Sequence, residues 1–281
     1  MSKRTKGWLI AAISLILIGC ILFVGVMTML NWNFGKLSTD KYETNTHAVT
    51  EAFTNLSIIV DTADVVFAPS TDDTVSVVCY EETKAKHAVS VEGDTLVIKV
   101  AEEVKWHQRL GFHWDTAKIT VYLPAGVYGT LKIKATTGDV TVPKGFSFAS
   151  VDISVTTGDI TCFAVVSGNM MLKITTGDTT LTDVTCRNLT FAGTTGDIVL
   201  NNVIASEAFV IKCSTGDVTF KACDAAALKV KTTTGDITGT LLTAKVFDAN
   251  TTTGRVSVPQ STTGGKCKLN ATTGSIKITI L

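Results

Sequence analysis

The chain has 281 residues, and its 25 basic and 25 acidic side chains give a formal net charge of zero at pH 7. Proteins that bind nucleic acid carry a basic patch or stripe, so this balance argues against a nucleic-acid partner. The composition is 45% hydrophobic, with 22 glycines and only four prolines. Together with the many Thr and Val residues, it favours an all-β protein.

Residues 8–30 form an uncharged apolar run that predicts a transmembrane helix. At about 1.5 Å rise per residue, a run of this length crosses the hydrocarbon core of a bilayer. The basic residues before it are Lys3, Arg4 and Lys6. The positive-inside tendency then predicts that residues 1–7 are cytoplasmic. We therefore expect a single-pass protein of the cell membrane whose C-terminal part, residues 31–281, is extracytoplasmic.

Two other N-terminal signals compete with an uncleaved anchor. A cleaved signal peptide has an apolar core of about 7 to 15 residues followed by a small-residue cleavage site, and this run is longer. The stretch Leu17-Ile18-Gly19-Cys20 resembles a bacterial lipobox. However, the chain continues after Cys20 as ILFVGVMTML, whereas a lipidated mature chain normally turns polar. We therefore favour the anchor.

A juxtamembrane linker is predicted at residues 31–49, and a divergent β-region at residues 50–130. This region precedes the regular repeats of residues 131–281. Terminal repeats of a solenoid must differ from internal ones in order to cover the open core. We therefore expect residues 50–130 to cap one end of the repeat domain.

Two stretches of the divergent region have recognisable patterns. Residues 56–69 (LSIIVDTADVVFAP) resemble a degenerate coil, with Ala63-Asp64 where later coils have Gly-Asp. The tripeptide Glu92-Gly93-Asp94 separates two alternating runs, which predicts a hairpin.

One segment, EEVKWHQRLGFHWDTAK (102–118), does not follow the pattern of its neighbours. Aromatic and Arg side chains are favoured at binding hot spots, which suggests a ligand or partner loop. The interpretation that we favour is a hairpin tip whose aromatic rings cover the end of the core. The residues of the hypothetical partner loop are Trp106, His107, Arg109, Phe112 and Trp114.

Thr-Thr-Gly-Asp and its variants recur through the rest of the chain at intervals of 19 or 20 residues. A fixed period of this size is typical of a solenoid, in which each coil buries its apolar face against its neighbours. We therefore predict a single-chain β-helix of about eight coils, with a right-handed coil and one line of corner glycines. These structural turn glycines are Gly138, Gly158, Gly177, Gly196, Gly216, Gly235, Gly254 and Gly274.

Hydrophobic alternation around each glycine predicts two strands per coil. The positions seven and five residues before the glycine are mostly apolar and are predicted to face inward, as are those two and four residues after it. The position four residues before the glycine is mostly polar and is predicted to face solvent. In the first coil the inward pair is Leu131 and Ile133, and the outward residue is Lys134.

The corner residues have a physical explanation. Glycine adopts positive φ at little steric cost, and Asp or Thr can bond to backbone groups that a bend leaves unpaired. Stacking places like residues about 4.8 Å apart, so the aspartates form a column of like charges. We expect each Asp to cap its own corner, with no metal and no cofactor; calcium binding is the alternative. The column is Asp139, Asp159, Asp178, Asp197, Asp217 and Asp236.

Six of the seven cysteines follow the predicted helix. By the repeat register, no two of them share a column on adjacent coils, so no disulfide is predicted. Cys162, Cys213 and Cys267 occupy inward columns and are interpreted as small buried hydrophobic residues. The sequence has no Cys-x-x-Cys, which argues against a metal or redox site.

The stretches ITVYLPAG, LKIKATTGDVTV and VDISVTTGDITC resemble the bacterial putative-adhesin domain, a β-solenoid domain of unknown function found in envelope proteins. The resemblance covers roughly residues 50–281. It implies an exported or membrane-anchored scaffold, sometimes encoded near envelope-stress regulators, and it provides no catalytic residues. Arg255 and Ser275 depart from the Asp pattern and predict that the acidic column is interrupted at the far end.

These features predict a membrane-anchored, non-catalytic binding scaffold of the adhesin kind at the cell envelope. Its expected partners are the membrane and an envelope protein or polysaccharide. The alternative is a regulatory ectodomain that modulates envelope-stress signalling through a membrane partner. A solenoid enzyme that acts on envelope polysaccharide is less favoured, because all four histidines precede the regular coils and no nucleophile lies beside a plausible base.

Overall fold

The computed structural model describes residues 3–33, 41–101 and 116–281. The chain divides into two units, one that holds the N-terminal helix and one that holds every strand found in the described residues.

Helix α1 (Lys3–Met29) is a single apolar helix, as the uncharged run predicts. Its span Thr5–Met29 is long and apolar enough to cross a membrane, with a mean hydropathy of 3.0 in its most apolar window. Apolar side chains are exposed all around it, as expected of a helix surrounded by lipid. The helix ends where Asn31 and Trp32 adopt positive φ and the Trp32 N–H donates to the Met27 carbonyl (2.8 Å).

The second unit consists of short strands joined by tight corners. In chain order the strands are β1 (Tyr42–Val49), β2 (Asn55–Thr62), β3 (Asp64–Pro69), β4 (Val75–Glu82), β5 (His87–Glu92), β6 (Thr95–Val100), β7 (Lys118–Leu123), β8 (Gly126–Thr137), β9 (Val140–Val142), β10 (Phe146–Thr157), β11 (Ile160–Cys162), β12 (Val165–Val166), β13 (Asn169–Thr176), β14 (Thr179–Thr182), β15 (Thr185–Thr195), β16 (Ile198–Asn201), β17 (Ile204–Thr215), β18 (Val218–Thr234), β19 (Ile237–Leu241), β20 (Lys245–Thr253), β21 (Val256–Ser257), β22 (Gly265–Thr273) and β23 (Ile276–Ile280).

These strands form two ladders that wind along one stack. Sheet 1 contains the strands that follow each corner, in the spatial order β1-β4-β7-β3-β9-β11-β14-β16-β18-β19-β23-β21. Sheet 2 contains the strands that precede each corner, in the order β5-β6-β2-β8-β10-β13-β15-β17-β18-β22-β20, with β12 beside β10. The first part of β18 pairs in sheet 1 and its later part in sheet 2.

The regular part is an all-β solenoid of about eight coils, as predicted. Each coil runs along a strand of sheet 2, turns at the glycine corner and continues along a strand of sheet 1. Equivalent residues of successive coils pair in parallel register, for example Thr137 with Thr157 before the corner and Val140 with Ile160 after it. The corner glycines therefore form one line along the stack.

The interior of the solenoid is apolar, as the inward columns predict. Leu131 and Ile133 are buried, and the outward Lys134 is exposed. The rings of Phe209 and Phe220 stack inside, with centroids 6.3 Å apart and an interplanar angle of 8°. Burial of apolar area at about 25 cal/mol per Å² is the main force that holds the coils together.

The last two coils are stacked in the reverse of their chain order, which the repeat pattern does not predict. Strand β22 lies between β18 and β20, and β23 lies between β19 and β21. The coil of Gly274 therefore packs directly on the coil of Gly235, and the coil of Gly254 is outermost.

The inward side chains explain this order. The coil of Gly274 presents Leu269, Ile276 and Ile278, which are all buried. The outermost coil presents Ala249, which is only partly buried, and Val256, whose predicted inward position is 39% exposed. An outermost coil covers its core from one side only, so less apolar surface is exposed when the less apolar coil takes that place.

A buried ion pair fastens the outermost coil to the stack. Lys245, the first residue of β20, is 3% exposed, and its Nζ lies 2.6 Å from Asp224 Oδ1. The Lys245 ammonium also donates to Thr243 Oγ1 (2.6 Å), and that hydroxyl donates to the Asp224 carboxylate. A lysine this deeply buried requires such partners, because an unpaired charge in the core is costly.

The chain order also changes at the other end of the stack. Strand β2 lies between β6 and β8, and β3 lies between β7 and β9. The corner at Ala63-Asp64 stacks on the first glycine corner, where the Asp139 N–H donates to Asp64 Oδ1 (2.9 Å). The predicted degenerate coil is therefore confirmed, although a further coil, β6 and β7, lies outside it.

Antiparallel strands close this end of the solenoid. In sheet 1, β4 pairs with β7 and β1 pairs with β4; in sheet 2, β5 pairs with β6. The predicted hairpin is β5–β6, with Gly93 at positive φ in its turn. Strand β1 occupies part of the segment predicted as a linker, residues 31–49, because its full length pairs with β4.

The reversed coil order predicts which engineered cysteines can form a disulfide. Thr238 pairs with Lys277 on adjacent strands, whereas Ser257 lies one coil further on. Adjacent strands are about 4.8 Å apart, within disulfide range, and a two-coil separation of about 9.6 Å is beyond it. We expect T238C/K277C to cross-link under mild oxidation and T238C/S257C to stay reduced, as checked by non-reducing electrophoresis after proteolysis between the two sites. If T238C/S257C cross-linked and T238C/K277C stayed reduced, the last two coils would instead be stacked in chain order.

The inward column two residues after the corner glycine contains one polar residue, Thr179. Thr179 is fully buried among apolar residues, and its Oγ1 has no hydrogen-bond partner in the part of the chain that the structure describes. Replacement of Thr179 by Val keeps the shape and removes the unsatisfied hydroxyl, so it should raise the free energy of unfolding by about 1 kcal/mol. Thr161→Val, at an outward position of sheet 1, is the control and should change it by less than about 0.5 kcal/mol. Denaturant melts measure both, and a destabilised Thr179→Val variant would contradict the prediction.

Candidate functional site

The Thr-Thr-Gly-Asp corner is a structural device that joins adjacent coils. Gly177 has φ +136°, and a Cβ placed there would overlap the carbonyl oxygen of Gly158 in the preceding coil. Positive φ and this close backbone approach both exclude a side chain. The turn glycines are thus required for two reasons, their positive φ and the close approach of the neighbouring backbone. The sequence indicated only the positive φ.

Three hydrogen bonds link each corner to the next. Between the second and third corners, the Gly158 N–H donates to the Thr176 carbonyl (3.0 Å), and the Ile160 N–H donates to the Asp178 carbonyl (2.9 Å). In the reverse direction, the Asp178 N–H donates to Asp159 Oδ1 (2.7 Å). Each carboxylate thus caps the backbone of the next coil, which corrects the expectation that each Asp caps its own corner.

This carboxylate ladder continues where the acidic column ends. The Ser275 N–H donates to Asp236 Oδ1 (2.6 Å), and the Arg255 N–H lies 3.3 Å from Ser275 Oγ. A serine hydroxyl accepts the bond that a carboxylate accepts elsewhere, so the negative charge stops but the hydrogen bonding does not. The Gly274 coil lies between the coils of Gly235 and Gly254. Ser275 therefore donates its N–H to Asp236 on one side, and its hydroxyl accepts the Arg255 N–H on the other.

The ladder predicts the effect of substitutions at Asp178. Asp178→Asn keeps the Oδ1 acceptor for the Asp197 N–H, now 2.8 Å away, and relieves repulsion from neighbouring carboxylates. The free energy of unfolding should change by less than about 1 kcal/mol. Asp178→Ala removes the acceptor and should destabilise the protein by about 0.5–1.5 kcal/mol.

Thermal melts of both variants, with millimolar calcium and with chelator, separate this role from metal binding. A metal that binds only the native state raises its stability by mass action. A calcium-dependent rise in Tm of many degrees, absent from the Asp178→Asn variant, would contradict the structural role and identify the column as a ligand site.

The cap contains a buried polar cluster that the sequence did not reveal. Glu81 is 1% exposed, and its Oε2 lies 2.7 Å from both the backbone nitrogen and Nδ1 of His87. Asn45 Nδ2 donates to Glu81 Oε1 (2.8 Å). The thiol of Cys79 lies close by, and burial, with a contribution from the Glu81 charge, raises its pKa to about 12. The alternation of Cys79 and Glu81 along β4 was the only signal of this cluster in the sequence.

Cys79, Glu81 and His87 are the residues of the described segments that could offer three ligands to one metal ion, since their ligand atoms lie within 4.8 Å of one another. Both carboxylate oxygens of Glu81 already accept hydrogen bonds from β1 and β5. A high thiol pKa also disfavours the thiolate that a metal requires. The geometry therefore supports a structural role, in which the hydrogen bonds of Glu81 hold the strands of the cap together.

The cysteines of the solenoid are buried, including Cys162, Cys213 and Cys267, for which the inward columns predict burial. Burial raises the pKa of the Cys162 and Cys186 thiols to about 11 and that of Cys267 to about 12. A thiol reacts through its thiolate, so these groups are chemically inert at neutral pH.

The hypothetical partner loop lies outside the described residues. Trp106, His107, Arg109, Phe112 and Trp114 fall in the chain between β6, which ends at Val100, and β7, which begins at Lys118. In the adjacent coil, Ala63 alone separates the paired strands β2 and β3.

A shallow depression lies between the edge strands β1 and β5. It is lined by His47, Val49, Glu51, Val89 and Ser90, among others. The buried Nε2 of His47 has no hydrogen-bond partner among the described residues, and the Ser90 hydroxyl contacts Glu92 at 3.5 Å. Among the described residues, no hydrogen bond therefore joins His47 to Ser90.

The outer face of sheet 2 presents regular columns of exposed side chains. Two positions before each glycine stand hydroxyls, all exposed: Thr136, Thr156, Thr175, Thr194, Ser214, Thr233, Thr252 and Thr272. Four positions before the glycine, a second column alternates lysines with small side chains over the first five coils. In spatial order it reads Lys134, Ser154, Lys173, Ala192, Lys212 and Lys231.

Known proteins resemble this chain in family and in fold. The family model described as Toastrack DUF4097 matches residues 53–281. A putative adhesin from Bacteroides fragilis superposes with a TM-score of 0.53 and 16% identity, over 86% of this chain and 97% of that one. A putative adhesin from Parabacteroides merdae gives a TM-score of 0.50 and 12% identity, over 86% and 98%. No curated protein matches the sequence. At these identities, the solved structures show a shared fold.

Proposed function

This chain belongs to the Toastrack DUF4097 family, and on that premise we propose that it is a membrane-anchored, extracytoplasmic scaffold that binds a component of the cell envelope without catalysis. The family match confirms the resemblance drawn from the Thr-Thr-Gly-Asp repeat. The similar solved structures are described as adhesins, which is consistent with a binding role.

The observation that carries the proposal is the repetition of exposed side chains on sheet 2. One coil contributes one hydroxyl and one lysine or small residue, and the pattern repeats in register along the stack. A ligand with its own repeat can make the same contact at several coils. Linked contacts of this kind raise affinity through effective concentration, even when each contact is weak.

The corner carboxylates and the buried charged groups have structural partners. The corner carboxylates accept backbone hydrogen bonds, Glu81 is bonded to Asn45 and His87, and Lys245 is paired with Asp224. A hydrolytic site needs a nucleophile, a base and an oxyanion donor that converge on one point. The described residues support binding better than they support such a reaction.

The anchor follows from α1 together with its basic flank. We propose that the helix is retained and that the solenoid lies outside the cell. Mass spectrometry of the purified native protein should find the peptide that contains Trp8. An N-terminus near Asn31, or a lipid thioether on Cys20, would replace the anchor by a cleaved signal or a lipoprotein.

Photo-crosslinking in intact cells tests the scaffold function. We place a benzophenone amino acid at Ala192, which is exposed in the lysine-containing column, and at Lys221, which is exposed on sheet 1 as the control. The expected result is a covalent adduct with an envelope polymer or surface protein from position 192, and a much weaker one from position 221. Equal adducts at both positions, or none, would contradict a binding face on sheet 2.

The identity of the adduct also separates the scaffold from the regulatory alternative. A regulatory ectodomain with one helix needs a partner in the membrane. Predominant crosslinks to a single integral membrane protein would therefore favour regulation of envelope-stress signalling over adhesion.

A further inference from the structure

We propose that the lysine column of sheet 2, Lys134, Lys173, Lys212 and Lys231, binds a linear polyanion with repeated phosphate groups. The inference rests on the proposed binding function and specifies the ligand of that face. The zero net charge of the chain conceals an uneven distribution of charge over its surface.

The four lysines lie in one line along the stack. Strand pairing places Lys134 beside Ser154, Ser154 beside Lys173, Lys173 beside Ala192 and Ala192 beside Lys212, and it places Lys212 beside Lys231. With about 4.8 Å between strands, the first three lysines repeat at about 9.6 Å and the line is about 24 Å long. The small residues between them leave room for a bound chain to lie flat.

These lysines have no acidic partner in the described segments. Other lysines do: Lys99 pairs with Glu92, Lys144 with Asp183, and Lys268 with Asp248. A row of exposed, unpaired ammonium groups creates a positive potential that attracts anions. Two more exposed lysines, Lys132 and Lys229, flank the column at its two ends on the same face, and Lys132 lies beside Asp152 in the strand register.

The neighbouring columns suit phosphate better than a nucleobase or an apolar ligand. Beside the lysines runs the exposed hydroxyl column, whose O–H groups can donate to phosphate oxygens. Neither column contains an aromatic residue, and the binding of single-stranded nucleic acid depends on aromatic stacking of bases. The face therefore offers donors for a repeated anion but no platform for bases.

The arrangement also favours a narrow chain over a flat anionic membrane. The lysine column is one residue wide, and between Lys132 and Lys229 the column on its far side contains Asp152, Met171, Thr190 and Val210. Five residues after each lysine comes a corner aspartate, as in Lys173 and Asp178. A broad anionic surface laid on sheet 2 would also approach this acidic edge, whereas a single strand of polymer can follow the lysine and hydroxyl columns.

Titration of the full-length protein in uncharged detergent micelles with long-chain inorganic polyphosphate tests the proposal. The test variant is K173S/K212S/K231S, and the matched control is K118S/K221S/K277S, which removes three exposed lysines from sheet 1. We expect the test variant to bind at least about tenfold more weakly at low salt, and the control to bind within about twofold of the parent protein. The slope of log affinity against log salt should fall by about 2, because each neutralised phosphate of a single strand contributes about 0.7.

The other outcomes overturn the proposal. Equal losses in both variants would indicate a response to net charge, and no loss in either would place binding elsewhere. Binding of phosphatidylglycerol vesicles without binding of polyphosphate would identify a membrane-facing surface instead. If polyphosphate fails to bind while the crosslinker at Ala192 still captures envelope material, this inference fails and the scaffold function stands.

Discussion

The hydrogen bonds between adjacent glycine corners are the constraint on which the rest of the β-domain depends. Because Gly177 has no side chain, the Gly158 carbonyl can approach it closely, and Asp159 caps the backbone of the next coil. This contact aligns the coils at the spacing of neighbouring parallel strands. From seven residues before the glycine to four after it, residues at the same distance from the glycine then fall in one column. These columns determine both the interior and the outer faces.

The regular coils could be predicted from the sequence because each one carries its own corner and its own alternation. The burial of Leu131 and Ile133 follows from these local signals alone. The order of the last two coils could not be predicted in the same way. It depends on a comparison between coils, namely which has the more apolar inward face, and on the pairing of Lys245 with Asp224 across the stack.

The cap illustrates a different limit. Its cluster brings Asn45, Glu81 and His87 together from three strands whose pairings are antiparallel and unrepeated, so no period indicates their register. The Asp corner lies between these cases. The need for a backbone acceptor was evident from the residue types, but an Asp beside a bend can serve its own coil or the next one, and only the stacked geometry decides which backbone N–H it caps.

The same stacking turns composition into a pattern of surface charge. Equal numbers of acidic and basic residues would cancel locally if they were evenly mixed, but the repeat places six aspartates in the corner column and four lysines in one column of sheet 2. Aspartates at the corner are held by backbone hydrogen bonds, while the four lysines of the sheet 2 column have no acidic partner in the described residues. Charges separated beyond a Debye length of about 8 Å at physiological salt are largely screened from one another. A neutral protein of this architecture can therefore present a cationic line to a narrow ligand that approaches sheet 2.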